Sequence, residues 1–180
     1  MRNIGYIFIL MILFSCNFTS FEKQLTNFAG TEIIFPDSLQ ASFKGLDTMI
    51  CISDAPMKMV VWYDSVGCSS CRIQHIHEWN EIVFYANKIG DVFDPVFIFS
   101  PKASDLHGIR IALRTVGFEY PVYIDNGNFF SKNNPHIPSN KRMHTFLLDE
   151  NNKVVLVGSP VRNEPLWELY KEQIQLKIKH

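Results

Sequence analysis

The stretch "VVWYDSVGCSSCRIQHIHEW", residues 60–79, joins a run of buried-strand character to a run of helical character through Cys68 and Cys71. Met57 to Tyr63 is a largely apolar run, as expected of a strand covered on both faces in the middle of a sheet. From Ser69 to about Ile89, the residues Ile73, Ile76, Trp79, Ile82, Val83, Ala86 and Ile89 recur at spacings of three and four. Arg72, His75, Glu78 and Glu81 fall on the other side, so the spacing predicts one amphipathic helix ended near Gly90. Two cysteines at such a junction are open to three readings: a redox centre, a metal clamp, or a structural staple without chemistry.

Composition narrows the choice. With 17 basic and 18 acidic residues in 180, and no long run of like charge, the chain has no field that would attract nucleic acid. The apolar fraction is ample for one folded domain plus attached segments. Met1-Arg2 is a short basic end and Ile4 to Phe14 is almost wholly apolar, too short to span a membrane comfortably but suited to a secretory signal. Residues 1–15 are therefore expected to be a signal peptide. Residues 16–30 read as a tether with a short helix around Glu22 to Phe28, and residues 31–180 as the folded domain.

Leu13-Phe14-Ser15-Cys16 resembles the lipobox of bacterial lipoproteins. That resemblance implies a lipid on Cys16 and an extracytoplasmic, membrane-anchored protein facing the periplasm or the cell surface. Three cysteines then remain, Cys51, Cys68 and Cys71, an odd number in an oxidising compartment. This favours one close pair with a function and one leftover thiol. Cys51, in the strand-like "TMICIS", is expected to be a buried small hydrophobe.

Elsewhere, Glu32 to Phe35 and Thr48 to Ile52 read as short β pieces, and Pro95 to Phe99 as a second buried strand. Ala103 to Val116 reads as a second helix. Thr145 to Leu148 and Lys153 to Val157 form a hairpin around Asp149-Glu150-Asn151-Asn152, and Glu164 to Ile178 a closing helix. Strand, helix, strand, helix, then hairpin and helix, argues for an α/β sheet with right-handed crossovers. With the dithiol at the first strand-to-helix junction, Cys68-Ser69-Ser70-Cys71 resembles the active site of the thioredoxin-like superfamily. "FEYPVYID" (118–125) and "HTFLLDENNKVVLVG" (144–158) resemble its extracytoplasmic, membrane-tethered branch.

The resemblance implies a thioredoxin-like fold, with a central mixed sheet, helices on both faces and an N-terminal β extension. It implies a thiol-disulfide oxidoreductase that exchanges disulfides with protein thiols and needs no cofactor. Cys68, at a helix N-terminus, would be the nucleophile, and Cys71, more buried on the first turn, the resolving thiol.

The sequence departs from that pattern in three places. Gly67 stands where an aromatic residue usually precedes the first cysteine, which opens that side of the site. The acidic residue often found six positions before that cysteine is Trp62 here. Asp64, four before it, is either a proton acceptor for Cys71 or a surface-loop carboxylate. His144 replaces the cis-proline that precedes Thr145, and its peptide bond is expected to be trans because a non-proline cis bond costs several kcal/mol.

The imidazole of His144 could then face Cys68 and Cys71, a set suited to copper or zinc that partly resembles Sco copper chaperones, although their cysteines are three residues apart. A redox-silent interaction module keeping the fold is the third reading. His75 and His77, two apart, point to different faces and make no metal pair. The residues before Cys68 lack the Pro-x-x-x-Thr-x-x-Cys turn of a peroxiredoxin. Residues 125–143 form a long polar connection suited to partner recognition.

Overall fold

A computed structural model describes residues 20–36, 39–48 and 50–178, with nothing said of the side chains of Ser69 and Ser70. Cys16 and the apolar N-terminal run lie outside the described residues. Among those described, no helix is long and apolar enough to cross a membrane.

Seven strands form one mixed sheet. They are β1 (Gln40–Phe43), β2 (Leu46–Thr48), β3 (Met57–Tyr63), β4 (Phe93–Phe99), β5 (Val122–Ile124), β6 (Thr145–Leu148) and β7 (Val154–Val157), in the spatial order β2-β1-β5-β4-β3-β6-β7. The parallel set β3, β4, β5 comes from two crossovers, and β6 returns antiparallel to β3, pairing Thr145 with Val61. β3 is thus held by hydrogen bonds on both edges and buried on both faces. This is why its sequence shows apolar residues at consecutive positions rather than alternating ones.

The two faces carry separate cores. On one, Met57, Met59 and Val61 meet Ile73, Ile76, Trp79 and the apolar sides of α3 (Asn80–Ile89), α4 (Leu106–Val116) and α6 (Glu164–Ile178). On the other, Val60 and Trp62 meet Phe28, Ile33, Phe130 and Phe146. Phe28 belongs to helix α1, residues 20–28, and Phe130 to the short helix α5 (Phe129–Asn133). Helices on both faces of a mixed sheet match the expected class.

The boundaries depart from the sequence expectation in instructive ways. The segment expected as one helix from Ser69 is α2 (Ser69–Gln74), a 3-10 turn over Ile76–Trp79, and then α3. The stripe Ile73, Ile76, Trp79, Ile82 steps by three residues, and on an α-helix each such step rotates the residue by about 60° away from the core. A three-residue turn keeps all four side chains inward, and all four are buried.

The segment expected as a tether carries the expected short helix, as α1, and the end of that helix is docked on the second core. Phe28 packs edge-on against Phe146 with ring centroids 5.2 Å apart, and Gly30 N–H donates to Val154 O at 2.8 Å. In the N-terminal extension the strands lie at β1 and β2, while Glu32 makes only an isolated bridge to Lys153. Cys51 follows β2 in a segment without strand geometry, so no alternation turns its side chain inward. It is an exposed free thiol rather than a buried hydrophobe.

A buried polar chain crosses the second core. Trp62 Nε1–H donates to Ser100 Oγ at 3.0 Å, and the Ser100 hydroxyl donates to Asp125 Oδ2 at 3.0 Å. Asp125, itself buried, also accepts the first N–H groups of α5, from Phe129 at 2.9 Å and Phe130 at 3.0 Å. Each such donor would cost about 1–3 kcal/mol if buried without a partner. The carboxylate therefore ties β4, β5 and α5 to the indole that lies beneath the dithiol loop.

Candidate functional site

The dithiol sits where β3 hands the chain to α2. Cys68 is the N-cap of α2, with extended backbone (φ −84°, ψ 100°), and its Sγ accepts the Cys71 N–H at 3.2 Å. A cap is normally an oxygen that satisfies an orphan helical donor, and here a sulfur does it. Cys68 and Cys71 are joined in a disulfide with their Cα atoms 5.3 Å apart. Both residues are exposed.

That loop, residues 64–67, is held from several sides. Asp64 Oδ1 accepts the Val66 N–H at 3.2 Å, while the Val66 carbonyl accepts Arg72 Nη2 at 3.3 Å and Lys141 Nζ at 2.5 Å. The Val66 side chain is turned out to solvent. Gly67 follows at φ +119°, a conformation that L side chains rarely adopt. A Cβ built there would sit 3.5 Å from Arg72 Nη2 and 3.8 Å from Lys141 Nζ. Glycine at this position therefore answers a backbone demand as well as leaving the site open. Two permanent cations thus stand beside the residue that precedes Cys68.

Asp64 is not a solvated loop carboxylate. Its side chain is 14% exposed and lies 3.7 Å from Lys141 Nζ, 3.9 Å from Arg72 Nη2 and 4.0 Å from His144 Nδ1. It anchors the loop and gathers the positive groups around it.

His144 follows a 3-10 turn over Lys141–Met143, and no described peptide bond is cis, so the Met143–His144 bond is trans as the sequence suggests. Its carbonyl accepts the Trp62 N–H at 2.9 Å, which extends the β3–β6 pairing by one residue, and Thr145 then opens β6, buried. The ring lies over the Trp62 indole with centroids 4.3 Å apart, and Nε2–H donates to the Pro138 carbonyl at 2.9 Å. Because a carbonyl can only accept, the proton of the neutral ring is on Nε2. Nδ1 is then a buried lone pair without a hydrogen bond.

The imidazole is thus engaged by Trp62, Pro138 and Asp64. The set Cys68, Cys71, His144 is not brought together as a metal site: among the described residues no group of three or more His, Cys, Asp or Glu side chains is placed to hold a metal ion. The partial resemblance to Sco copper chaperones, and the copper or zinc that went with it, finds no donor set here. His75 and His77 are exposed, as expected, with His75 Nδ1 3.5 Å from Glu78 and His77 Nδ1 bonded to Gln74 O.

Lys141, Arg72 and the Trp62–Ser100–Asp125 chain are functional supports that the sequence does not single out. Lys141 looks like any lysine of a polar loop, and only the fold brings it across 75 residues to Val66. The 125–143 connection is partly ordered as α5 and the 3-10 turn, and it delivers both Lys141 and His144 to the site.

Burial pushes the His144 pKa below the ordinary imidazole range. The Pro138 hydrogen bond and the Asp64 charge oppose this in part, and Arg72 and Lys141 add to it. A pKa lowered on folding means that the unfolded chain takes up the proton first. The contribution of neutral His144 to stability is therefore complete above about pH 6.5 and is lost as pH falls through the lower folded value. His144→Phe, which keeps a ring on Trp62 but cannot titrate, should lose less stability than the wild type between pH 8 and pH 5 in urea unfolding. Equal losses would show that His144 is not held neutral.

No protein-family model matches the sequence, and no curated protein matches it. Solved structures do. The chain superimposes with a TM-score of 0.56 and 20% identity on the solution structure of a Bacteroides thetaiotaomicron protein proposed to be a protein disulfide isomerase, covering 84% of this chain and 91% of that one. With AhpC from Enterococcus faecalis, a peroxiredoxin, the TM-score is 0.51 at 10% identity, over 86% of this chain and 97% of that one. At these identities the likeness concerns architecture. The chain has a thioredoxin-like fold, with a disulfide between Cys68 and Cys71 at the junction of β3 and α2.

Proposed function

We propose that the protein is a thiol-disulfide oxidoreductase that exchanges disulfides with protein thiols through Cys68 and Cys71. The observation that carries this is an exposed disulfide on the first turn of α2 whose Cys68 Sγ accepts a helical N–H beside Arg72 and Lys141. A staple that only stabilised the fold would gain nothing from exposure or from flanking cations. Either would make it easier to reduce.

In the reducing direction, the Cys68 thiolate attacks one sulfur of a client disulfide. A Cys68–client disulfide forms and the client's other sulfur leaves as a thiolate. Cys71 then loses its proton to water, which reaches it because the residue is exposed, and attacks Cys68 Sγ. The Cys68–Cys71 bond forms and the second client thiolate departs. The client disulfide has gained two electrons and the protein dithiol has lost two. Run backward, the same steps oxidise a client dithiol. Asp64 acts here as a positioning residue, since its carboxylate holds the loop. The cycle needs no metal or cofactor.

The proposal extends to location. The lipobox-like Leu13 to Cys16 supports a lipid-anchored protein outside the cytoplasm, with clients that carry disulfides there. Metabolic labelling with a fatty acid should label the wild type and not Cys16→Ser. An unlabelled wild type would refute the anchor while leaving the exchange chemistry untouched.

For the chemistry itself, Cys68 in the reduced protein should alkylate at least several-fold faster than Cys71 at pH 7, as judged by peptide mass mapping. Cys71→Ser should accumulate mixed disulfides with client proteins, because the resolving step is lost. Equal alkylation rates, together with no trapped species, would support the silent-module reading instead.

A further inference from the structure

Beside the dithiol lies a cleft of about 350 Å³, floored by the ends of β3 and β6 and walled by Tyr63 and Trp79. Three permanent cations reach it from three separate parts of the chain: Arg72 from α2, Lys141 from the turn before His144, and Arg162 from the connection between β7 and α6. Glu78 is the one carboxylate among its lining residues. The cleft is continuous with the reactive centre, since Arg72 directly follows Cys71 and both Arg72 and Lys141 flank the Gly67 position next to Cys68.

This concentration is local. The whole chain has 17 basic and 18 acidic residues, so the cleft is not sampling a generally basic surface. Nor does packing explain Arg162. Its side chain is 79% exposed, and its backbone sits at φ +58°, where a non-glycine residue pays a conformational cost. Its guanidinium donates to Glu78 Oε1 at 2.7 Å, which holds it toward the 3-10 turn that follows α2. Tyr63 and Trp79 are joined by a 3.0 Å hydrogen bond from the indole N–H to the phenol oxygen, and Arg72 lies over the Tyr63 ring. The wall beside the cations is therefore rigid and aromatic, able to receive the body of a side chain whose charged end meets the cations.

We propose that this cleft selects polypeptide clients that carry a carboxylate side chain, Asp or Glu, within a few residues of the reacting cysteine. The proposal rests on the exchange reading above and adds the class of client. Asp64 and Glu78 offset part of the field, leaving three positive groups against two negative ones around the cleft, with His75 and His144 neutral when unprotonated. An incoming carboxylate completes the pairing.

The test uses three disulfide-linked peptides, identical except for Glu, Gln or Lys beside the cysteine. Each exchange rate is divided by that peptide's rate with a neutral small thiol, because flanking charge also alters the peptide's own leaving group. At low salt the reduced protein should favour the Glu peptide over the Lys peptide by about tenfold, the lower end of what electrostatic steering gives. The ratio should fall toward one at 1 M salt, where screening acts within about 3 Å. Arg162→Glu, which leaves the Arg72 and Lys141 contacts to Val66 in place, should shrink the ratio.

Equal normalised rates for the three peptides in the wild type would overturn the proposal while leaving exchange itself intact. A ratio that Arg162→Glu does not change would overturn its assignment to this cleft. Failure to exchange with any of the three would refute the exchange reading and this one with it.

Discussion

β3 is bonded on both edges and buried on both faces, and the site inherits its geometry from that one strand. Val61 pairs with Thr145 on one side and Phe97 on the other, so the strand's end cannot shift without disturbing two neighbours at once. Trp62 and Tyr63, its last residues, point to opposite faces. Trp62 carries the His144 ring and is tied through Ser100 to Asp125, while Tyr63 carries Arg72 and is tied to Trp79. The loop that follows is thus suspended between two anchored aromatic residues. Asp64, Arg72 and Lys141 fix its course and deliver Cys68 to the N-cap of α2.

His144 shows how a residue foreign to the expected pattern is absorbed. A proline at this place would supply shape through its ring and lack an N–H. The histidine instead keeps a trans peptide, stacks on Trp62 and bonds Pro138. Its unpaired Nδ1 faces a carboxylate that already has two cations near it. The imidazole therefore serves the second core and the loop's electrostatics.

Much of this was legible in the sequence, for identifiable reasons. Met57–Tyr63 and Thr145–Leu148 are short apolar runs and Glu164–Ile178 follows a helical period, and their boundaries fall where the pattern places them. The turn Asp149-Glu150-Asn151-Asn152 holds asparagines, which accept a positive φ, and Asn152 takes it at φ +56°. Where sequence and structure part, tertiary context overrules a local signal. Phe28 was bound up in a segment that reads as a tether because its partners Phe146 and His136 are more than a hundred residues away. Cys51 looks strand-like by composition but has no neighbouring strand at its position. The exposure of Cys71 and the convergence of Lys141 and Arg162 on one cleft depend on loop paths that no periodicity encodes.

The central claim is that the Cys68–Cys71 bond is a working redox couple rather than a staple. Equilibration of the purified protein in a graded series of thiol-disulfide buffers, with the Cys68–Cys71 pair scored by alkylation and mass, measures this directly. The account predicts a reversible two-electron transition with a midpoint above about −300 mV, outside the range of structural disulfides. A pair that stays oxidised until well below that potential, or that unfolds the protein on reduction, would contradict it.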